Sequence, residues 1–469
     1  DKKTYEMLAK GHTIGVFQMA SSGMTKWLME LKPTDVHDLN AMVALYRPGP
    51  MEFIPGYIAG KRDPNSVTYI DPRLEKYLKP TYGILMYQDD IMLIAVELAG
   101  YSWLDADMFR KAMGKKIPEI MAQQKKKFHD GCVERGMEEE AQIKLWESIE
   151  TFAAYGFNKA HAVSYGGLAY KTAYMKANYP LEYMSALLTA DSGDTERIFE
   201  TVEECKKMGI AVLPPNVNDS LGVFSVITNS EESSIRFGLN SIKNFGEGIS
   251  KSIVDERKKN GKYQDLADML VRITDNNLNK RSVESLIKCG ALDEFGERGR
   301  LLTNLETILQ YYKEEHNKPE GQDSLFGVSK EGSTSIELTD SPEMTLKDKL
   351  SYEKELLGLY ISGHPLDAHR DKMAGKQDIA TIKENSYPGT TTVVAGLIDN
   401  IHTIITKKGA KMAFIRISDY TDNFEIVVFP EVFETYKERL IMDKCILVKG
   451  KLSVRDGEKN FMADAIKFL

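Results

Sequence analysis

What the sequence lacks narrows its class first. Its four cysteines, Cys132, Cys205, Cys289 and Cys445, are widely spaced and form no C-x-x-C pair. That excludes a zinc ribbon and a disulfide framework and points to a reducing cytoplasm. No apolar run approaches the roughly 18 residues of a membrane-spanning helix, so no membrane role is expected. There is no excess of positive charge either: the net charge is -8 and the pI about 5.7, which excludes a uniformly cationic coat. Contact with an acidic polymer must come from local patches such as Arg110 to Lys127, where seven basic residues face one acid, Glu119. Neither a signal peptide nor an initiator methionine precedes Asp1, and a piece of a longer protein is expected.

Also scarce are carboxylates placed for metal catalysis. Two-metal phosphoryl transfer needs two or three acids converging from a rigid sheet, yet no D-x-D falls on an expected strand. Asp105-x-Asp107 is the one tempting pair, and its helical setting reads as helix-start acid. No metal ligand and no catalytic residue is assigned within the chain.

What is present is length enough for about three domains of roughly 100 to 200 residues each, with an ordinary hydrophobic fraction of 42%. In a first domain of 1–213, residues 1 to about 190 read as mainly helical, with apolar residues at helical spacing in Asp89–Leu98 and Ala169–Lys176 and prolines at 48, 50, 55, 64, 72 and 80 breaking the early part. Pro214-Pro215 marks a boundary to a second module, 214–311. There Ile235–Leu239 reads as a strand, and Asn244-Phe245-Gly246-Glu247-Gly248-Ile249 leads into a helix through Arg257. Residues 312–345 are polar and read as a mobile linker, and 346–388 as a connecting segment. In 389–469 the period becomes alternating: strands are expected over Thr392–Thr406, Ala413–Asp419, Phe424–Phe429 and Cys445–Val454, a Lys407-Lys408-Gly409 turn between the first two, and a helix over Glu431–Leu440. This pattern describes a five-stranded barrel of OB type. The whole is a multidomain α+β chain: helical domain, helix-hairpin-helix region, C-terminal barrel.

The chemistry-bearing motifs favour anions. Asp107–Lys116 and Gly156-Phe157-Asn158-Lys159-Ala160-His161-Ala162 set Arg and Lys beside glycines, a composition suited to phosphate. A lone basic helix face is more often solvated surface, but the paired glycine-aromatic-Asn-Lys-x-His loop outweighs that reading. Glycines at alternate positions in Asn244–Ile249 would expose backbone N–H groups to a DNA phosphate, naming Asn244, Gly246 and Gly248 as contacts. A second such hairpin is sought at Leu278–Leu292, around Lys288-Cys289-Gly290-Ala291; lacking alternate glycines, it is expected to pack against the first. In the barrel, Lys407, Lys408, Lys411 and Arg416, with Phe414 and Phe429, form a candidate platform for single strand, although alternation leaves open whether Phe414 faces the core.

Five motifs in fixed order carry a family likeness: Gly15-Val16-Phe17-Gln18, Ala44-Leu45-Tyr46-Arg47-Pro48-Gly49-Pro50, Pro80-Thr81-Tyr82-Gly83-Ile84, Arg110–Lys116 and Tyr155–Lys159. Through them the chain resembles the DNA polymerase III alpha-subunit family of bacterial C-family replicases, from fingers to OB barrel. Leu357–Leu366 matches too, with His364 before Pro365 read as a turn residue. The order of domains favours this family over the Gram-positive replicase, whose OB domain lies near the amino terminus.

The resemblance implies DNA-directed DNA polymerase activity in the intact protein. It implies that Arg110, Lys111, Lys115 and Lys159 meet the triphosphate of an incoming deoxynucleotide, with Phe157, Asn158 and His161 shaping its pocket and Arg47 a further contact. Lys111 and Ala160 stand where relatives often show Arg and Ser. It further implies magnesium held by palm aspartates outside this chain, leaving the piece alone inactive. Gln322, Asp323, Ser324, Leu325 and Phe326, an apolar pair stranded in a polar segment, resemble a sliding-clamp-binding peptide. The implied partners are primer-template DNA, single-stranded template, deoxynucleoside triphosphate, the sliding clamp (beta subunit) and other replicase subunits. Two rival classes remain: a non-enzymatic DNA-binding scaffold, and a helix-hairpin-helix repair nuclease, which would need a metal cluster that the sequence does not show.

Overall fold

In the computed structural model, residues 1–115, 118–153, 156–228, 233–275, 277–317, 336–455 and 458–469 are described. They form two compact units, one of Asp1–Asp191, Glu200–Val212 and Val226–Ile235, the other of Ser192–Phe199, Leu213–Ser225 and Arg236–Leu469. The first is helical. Its elements include α1 (Lys2–Ala9), α2 (Val36–Leu45), α3 (Gln88–Ala99), α4 (Trp103–Lys115), α5 (Pro118–Glu134), α6 (Glu139–Ala153) and α7 (Lys159–Asn178). Pro50, Pro55, Pro64, Pro72 and Pro80 do more than interrupt helices: each stands in the first turn of a short one, where its missing N–H costs nothing.

Helix α7 lies against α2 through a small-residue face, Ala162, Gly166, Ala169 and Ala173, all buried. Glycine is needed at 166 because a Cβ there would stand 2.0 Å from Asn40 Oδ1. Farther along the core, Phe109 of α4 stacks on Trp146 of α6 at 5.6 Å and 17°. A buried ion pair completes the unit. The fully buried Lys176 Nζ donates to His12 O (3.2 Å), Ile14 O (2.8 Å) and Glu204 Oε1 (2.6 Å), using all three of its N–H donors. It thereby fixes the loop carrying Gly15-Val16-Phe17-Gln18, which Tyr183 Oη (to Gly15 O, 2.8 Å) and Thr172 Oγ1 (from Phe17 N, 3.1 Å) also hold.

In the second unit, α8 (Glu247–Asn260) and α9 (Lys280–Lys288) bury Ile249, Ile253 and Val254, and Val283, Leu286 and Ile287. Helix α10 (Leu346–Leu357) supplies Glu353, wholly buried. Its Oε2 accepts from Ile361 N and Ser362 N and its Oε1 from Arg298 Nη1, which pins the Leu357–Leu366 turn. His364 is the N-cap of the short helix Pro365–His369, its Nδ1 accepting from Leu366 N, a turn residue as expected.

The C-terminal barrel is closed and five-stranded. Strands β1 (Thr391–Ile405), β2 (Lys411–Ser418), β3 (Asn423–Val428), β4 (Cys445–Arg455) and β5 (Glu458–Phe468) are ordered β1-β2-β3-β5-β4, with α11 (Pro430–Tyr436) between β3 and β4. Alternation fills the interior with Ala413, Ile415 and Ile417 of β2 and Phe424, Ile426 and Val428 of β3, over which Phe433 of α11 is laid. A short parallel pairing, Ile426 with Phe461 and Val427 with Met462, closes the ring. Gly450 of β4 sits opposite a bulge in β5, where Asp464 is the extra residue, and a Cβ there would meet Met462 O at 2.0 Å.

Several expectations need correction. The strand expected over Ile235–Leu239 ends at Arg236, because Leu239–Ser241 tightens into a 3-10 turn. The helix expected to reach Leu440 stops at Tyr436. Helix Leu305–His316 runs into the segment read as linker, and that segment's far end is tied down by Arg300 Nη2 to Leu338 O and by paired bonds between Asn304 and Thr339. Lys288-Cys289-Gly290-Ala291 runs from the last residue of α9 into the turn that follows it, with Gly290 at φ +82°, and that turn leads to the short helix Arg298–Thr303.

Breaking the Lys176 pair by Lys176→Met should cost about 3–5 kcal/mol in urea unfolding, since it strands a buried carboxylate and two carbonyls. Adding Glu204→Leu should recover part of that loss; no recovery would show that the carbonyl bonds, rather than the ion pair, carry the stability.

Candidate nucleotide and nucleic-acid surfaces

The phosphate-suited motif at 156–161 folds as a joint between the N-termini of α3 and α7. Phe157 N donates to Met86 O (3.1 Å) and Gln88 N to Phe157 O (3.0 Å). Gln88 Nε2 donates to Gly156 O (3.1 Å), and a Cβ at 156 would stand 2.9 Å from Gln88 Cγ. Asn158 caps α7, its Oδ1 accepting from His161 N (2.8 Å). Its side-chain oxygen is therefore committed to the helix. The first turn of α3 grips Lys159 twice: Asp89 Oδ2 accepts its backbone N–H (3.1 Å) and Asp90 Oδ1 its ammonium (2.9 Å).

A line of rings runs out from this joint. The Arg47 guanidinium lies 4.6 Å from the Phe157 ring centre; Phe157 meets His161 edge-on at 5.4 Å, His161 meets Tyr165 at 4.1 Å, and Tyr165 meets Phe17 at 5.2 Å. The spacing 157, 161, 165 places three rings along one side of α7. Arg47 is anchored by Nε to Ala44 O (2.8 Å), and burial lowers its pKa. The structure thus gathers Arg47, Phe157, Lys159 and His161. It adds Tyr165, Phe17 and Asp90, which sequence reasoning did not assign; the i, i+4 recurrence of aromatics after Phe157 was the available signal for Tyr165.

Arg110 and Lys111 stand on α4 and both turn to Asp107: Arg110 Nη2 reaches Oδ1 at 2.8 Å and Lys111 Nζ reaches Oδ2 at 2.7 Å. Lys115 ends the same helix, and its side chain lies outside the described residues. Asp105 caps in the way a helix-start acid does, accepting from Ser102 N and Oγ, and pairs with Lys127 at 2.6 Å. Among the described residues no group of three or more His, Cys, Asp or Glu is placed to hold a metal ion.

The hairpin glycines occupy an exposed loop. Asn244 takes φ +68°, and Gly246, at φ -78°, begins α8 with no side-chain cap. A Cβ at Gly246 would meet nothing within 4 Å and one at Gly248 only Asn277 Nδ2 at 3.9 Å, so the protein's own packing does not demand glycine there. Arg281, in the first turn of α9, donates to Asn244 Oδ1, which sets the N-termini of α8 and α9 side by side. In the barrel, Lys407 and Lys408 top the β1–β2 turn and are exposed, as are Lys411 and Arg416. Phe414 pairs across the sheet with His402 and Val427 on the outer side, half-buried and away from the interior, while Phe429 is exposed. Residues Gln322 to Phe326 lie outside the described residues.

Comparison with known proteins gives three matches along the chain. Residues 1–136 match the finger domain of the bacterial DNA polymerase III alpha subunit, 209–301 a helix-hairpin-helix motif, and 392–469 an OB-fold nucleic acid binding domain. Proteins named DNA polymerase III subunit alpha are similar throughout: that of Thermus aquaticus is 41% identical over 99% of this chain and 38% of its own length, and that of Borreliella burgdorferi 39% identical over 99% and 41%. This chain belongs to the bacterial DNA polymerase III alpha-subunit family. It spans about two fifths of the length of the relatives it matches, 38% of the Aquifex aeolicus protein among them. The alpha-subunit finger match covers both Arg47 and Arg110, and the general OB-fold match covers every lysine and arginine assigned in the barrel.

Bonds from Lys127 and Ser102 hold the Asp105 carboxyl down from its ordinary 3.8 to about 2. A depressed carboxyl contributes stability above its unfolded pKa that disappears as pH falls through the folded one. Asp105→Asn should therefore melt below the wild type at pH 6, with the gap closing between pH 4 and pH 2. A gap independent of pH would assign the effect to the Ser102 cap instead.

Proposed function

We propose that this chain is the portion of a replicative DNA polymerase that captures the incoming deoxynucleoside triphosphate and holds DNA. The observation that carries this reading is the joint at which Arg47, the Phe157 and His161 rings and the Lys159 ammonium converge from separate segments. Cations and stacked rings side by side suit a ligand with a polyphosphate at one end and a base at the other. Arg110 and Lys111 of α4, and Lys115 by its place in the same motif, are the further cations that this reading assigns to the triphosphate. Phosphates would be stabilised there as pyrophosphate leaves, while magnesium is held by carboxylates outside residues 1–469; the chain by itself is then inactive in nucleotide addition.

The loop at Asn244, Gly246 and Gly248 grips a duplex phosphate without reading sequence. What supports this is glycine at two exposed positions where internal packing leaves room for a side chain. Lys407, Lys408, Lys411 and Arg416, with Phe414 and Phe429, follow the single-stranded template, and Gln322 to Phe326 engage the sliding clamp. Other replicase subunits complete the assembly, in the cytoplasm.

Titration with a deoxynucleoside triphosphate tests the central claim. Binding that Arg47→Ala and Arg110→Ala each weaken supports it; binding indifferent to both would leave a DNA-holding scaffold. In a separate titration against the sliding clamp, Leu325→Ala/Phe326→Ala should abolish micromolar or tighter binding, and an unchanged curve would return Gln322–Phe326 to plain linker.

A further inference from the structure

The joint contains a buried negative charge beside the cation that is meant to meet phosphate, and the nucleotide reading does not require it. Asp90 is 1% exposed. Its Oδ1 accepts from Lys159 Nζ at 2.9 Å, whereas its Oδ2 is buried without a hydrogen-bond partner. Lys159 itself is 45% exposed, its ammonium 5.3 Å from the centre of the buried Tyr87 ring. The acid is enclosed and rigid on α3, and the base is half in solvent on a flexible stem.

We propose that Asp90 is a resident counter-anion for Lys159: it holds the ammonium at the joint and competes with polyphosphate for it, so that nucleotide capture is a carboxylate-for-phosphate exchange. This rests on the nucleotide reading above. If the ammonium swings out to a phosphate, a buried carboxylate with no other partner is left behind, which is costly. If the ammonium bridges both, the carboxylate stays within a few ångströms of the phosphates and repels them through a poorly polarisable medium. Either way the Asp90 charge opposes the ligand, and the sign does not depend on which geometry is adopted. Where the ammonium bridges, the repulsion grows with the ligand's own charge, so it weighs more on a polyphosphate than on a single phosphate. Asp107 repeats the arrangement between Arg110 and Lys111, but at 34% exposure solvent screens it, and its influence is smaller. Asp90 is thus a positioning and selectivity residue that makes no contact with the ligand of its own.

The test is a titration of this chain with inorganic tripolyphosphate and with dATP. Asp90→Asn, isosteric and still able to accept from Lys159, should bind both roughly tenfold more tightly, and should gain less for inorganic monophosphate. In a Lys159→Gln background the gain should vanish, because an unpaired buried carboxyl takes up a proton instead of standing charged. Asp90→Ser removes the charge without an amide to bury and serves if the Asn variant fails to fold. Unchanged or weaker tripolyphosphate binding in the Asp90 variants, with Lys159→Gln still damaging, overturns the counter-anion role alone. Binding that Lys159→Gln leaves intact overturns the nucleotide reading at this joint, and the exchange with it.

Discussion

The first unit depends on one ammonium with no access to water. Lys176 is wholly buried, and its three donors go to two carbonyls of a single loop and to Glu204. A charge in that position is tolerable only if all of its partners stay in place, so the His12–Gln18 loop has one allowed path. That path sets Phe17 against Tyr165 and so ends the line of rings that begins at Arg47. The exposed joint is therefore shaped in part from the interior, through a residue that never approaches it. Helix α7 transmits this because its Ala162–Gly166–Ala169–Ala173 face lets it lie against α2 at backbone distance.

The second unit uses charge in the same way. Glu353 gathers Arg298 and two backbone N–H groups of the Ile361-Ser362 turn in one dry place. The hairpin loop differs in kind, with its glycines exposed and unclaimed by packing. Rigidity is concentrated under the surfaces and openness at them, as expected where a scaffold presents backbone groups to a bulky ligand.

Local chemistry was legible in the sequence, and tertiary chemistry was not. Four of the barrel's five strands were placed because alternation is a property of consecutive residues, whereas Glu458–Phe468 was not placed; the Lys407-Lys408-Gly409 turn was visible because glycine supplies the φ of +80° that closes it. Phe157, Lys159 and His161 were visible as a motif. Asp90 as the counter-charge of Lys159 was not, since nothing at 90 announces a partner at 159. The place of Asn158 as the cap of α7 was not read, because the motif's likeness to a binding loop concealed it. The polar segment 312–345 was drawn too long because low apolar content does not register the tethers that Arg300 and Asn304 provide from outside it. Phe414 could be oriented only by the register that sets it opposite His402 and Val427.

The stack of Phe109 on Trp146 has a spectroscopic corollary. The chain's three tryptophans are Trp27, Trp103 and Trp146, all in the helical unit. Trp146 is 3% exposed and Trp103 61%, so the emission combines a blue, enclosed fluorophore with a red, hydrated one. The barrel and hairpin carry only tyrosine and phenylalanine and are dark at tryptophan excitation. Fluorescence therefore reports on the unit that holds the joint between Arg47 and Lys159, and far-ultraviolet dichroism on the entire chain; the two signals, recorded on one sample, separate the optical history of one unit from that of the other without a label.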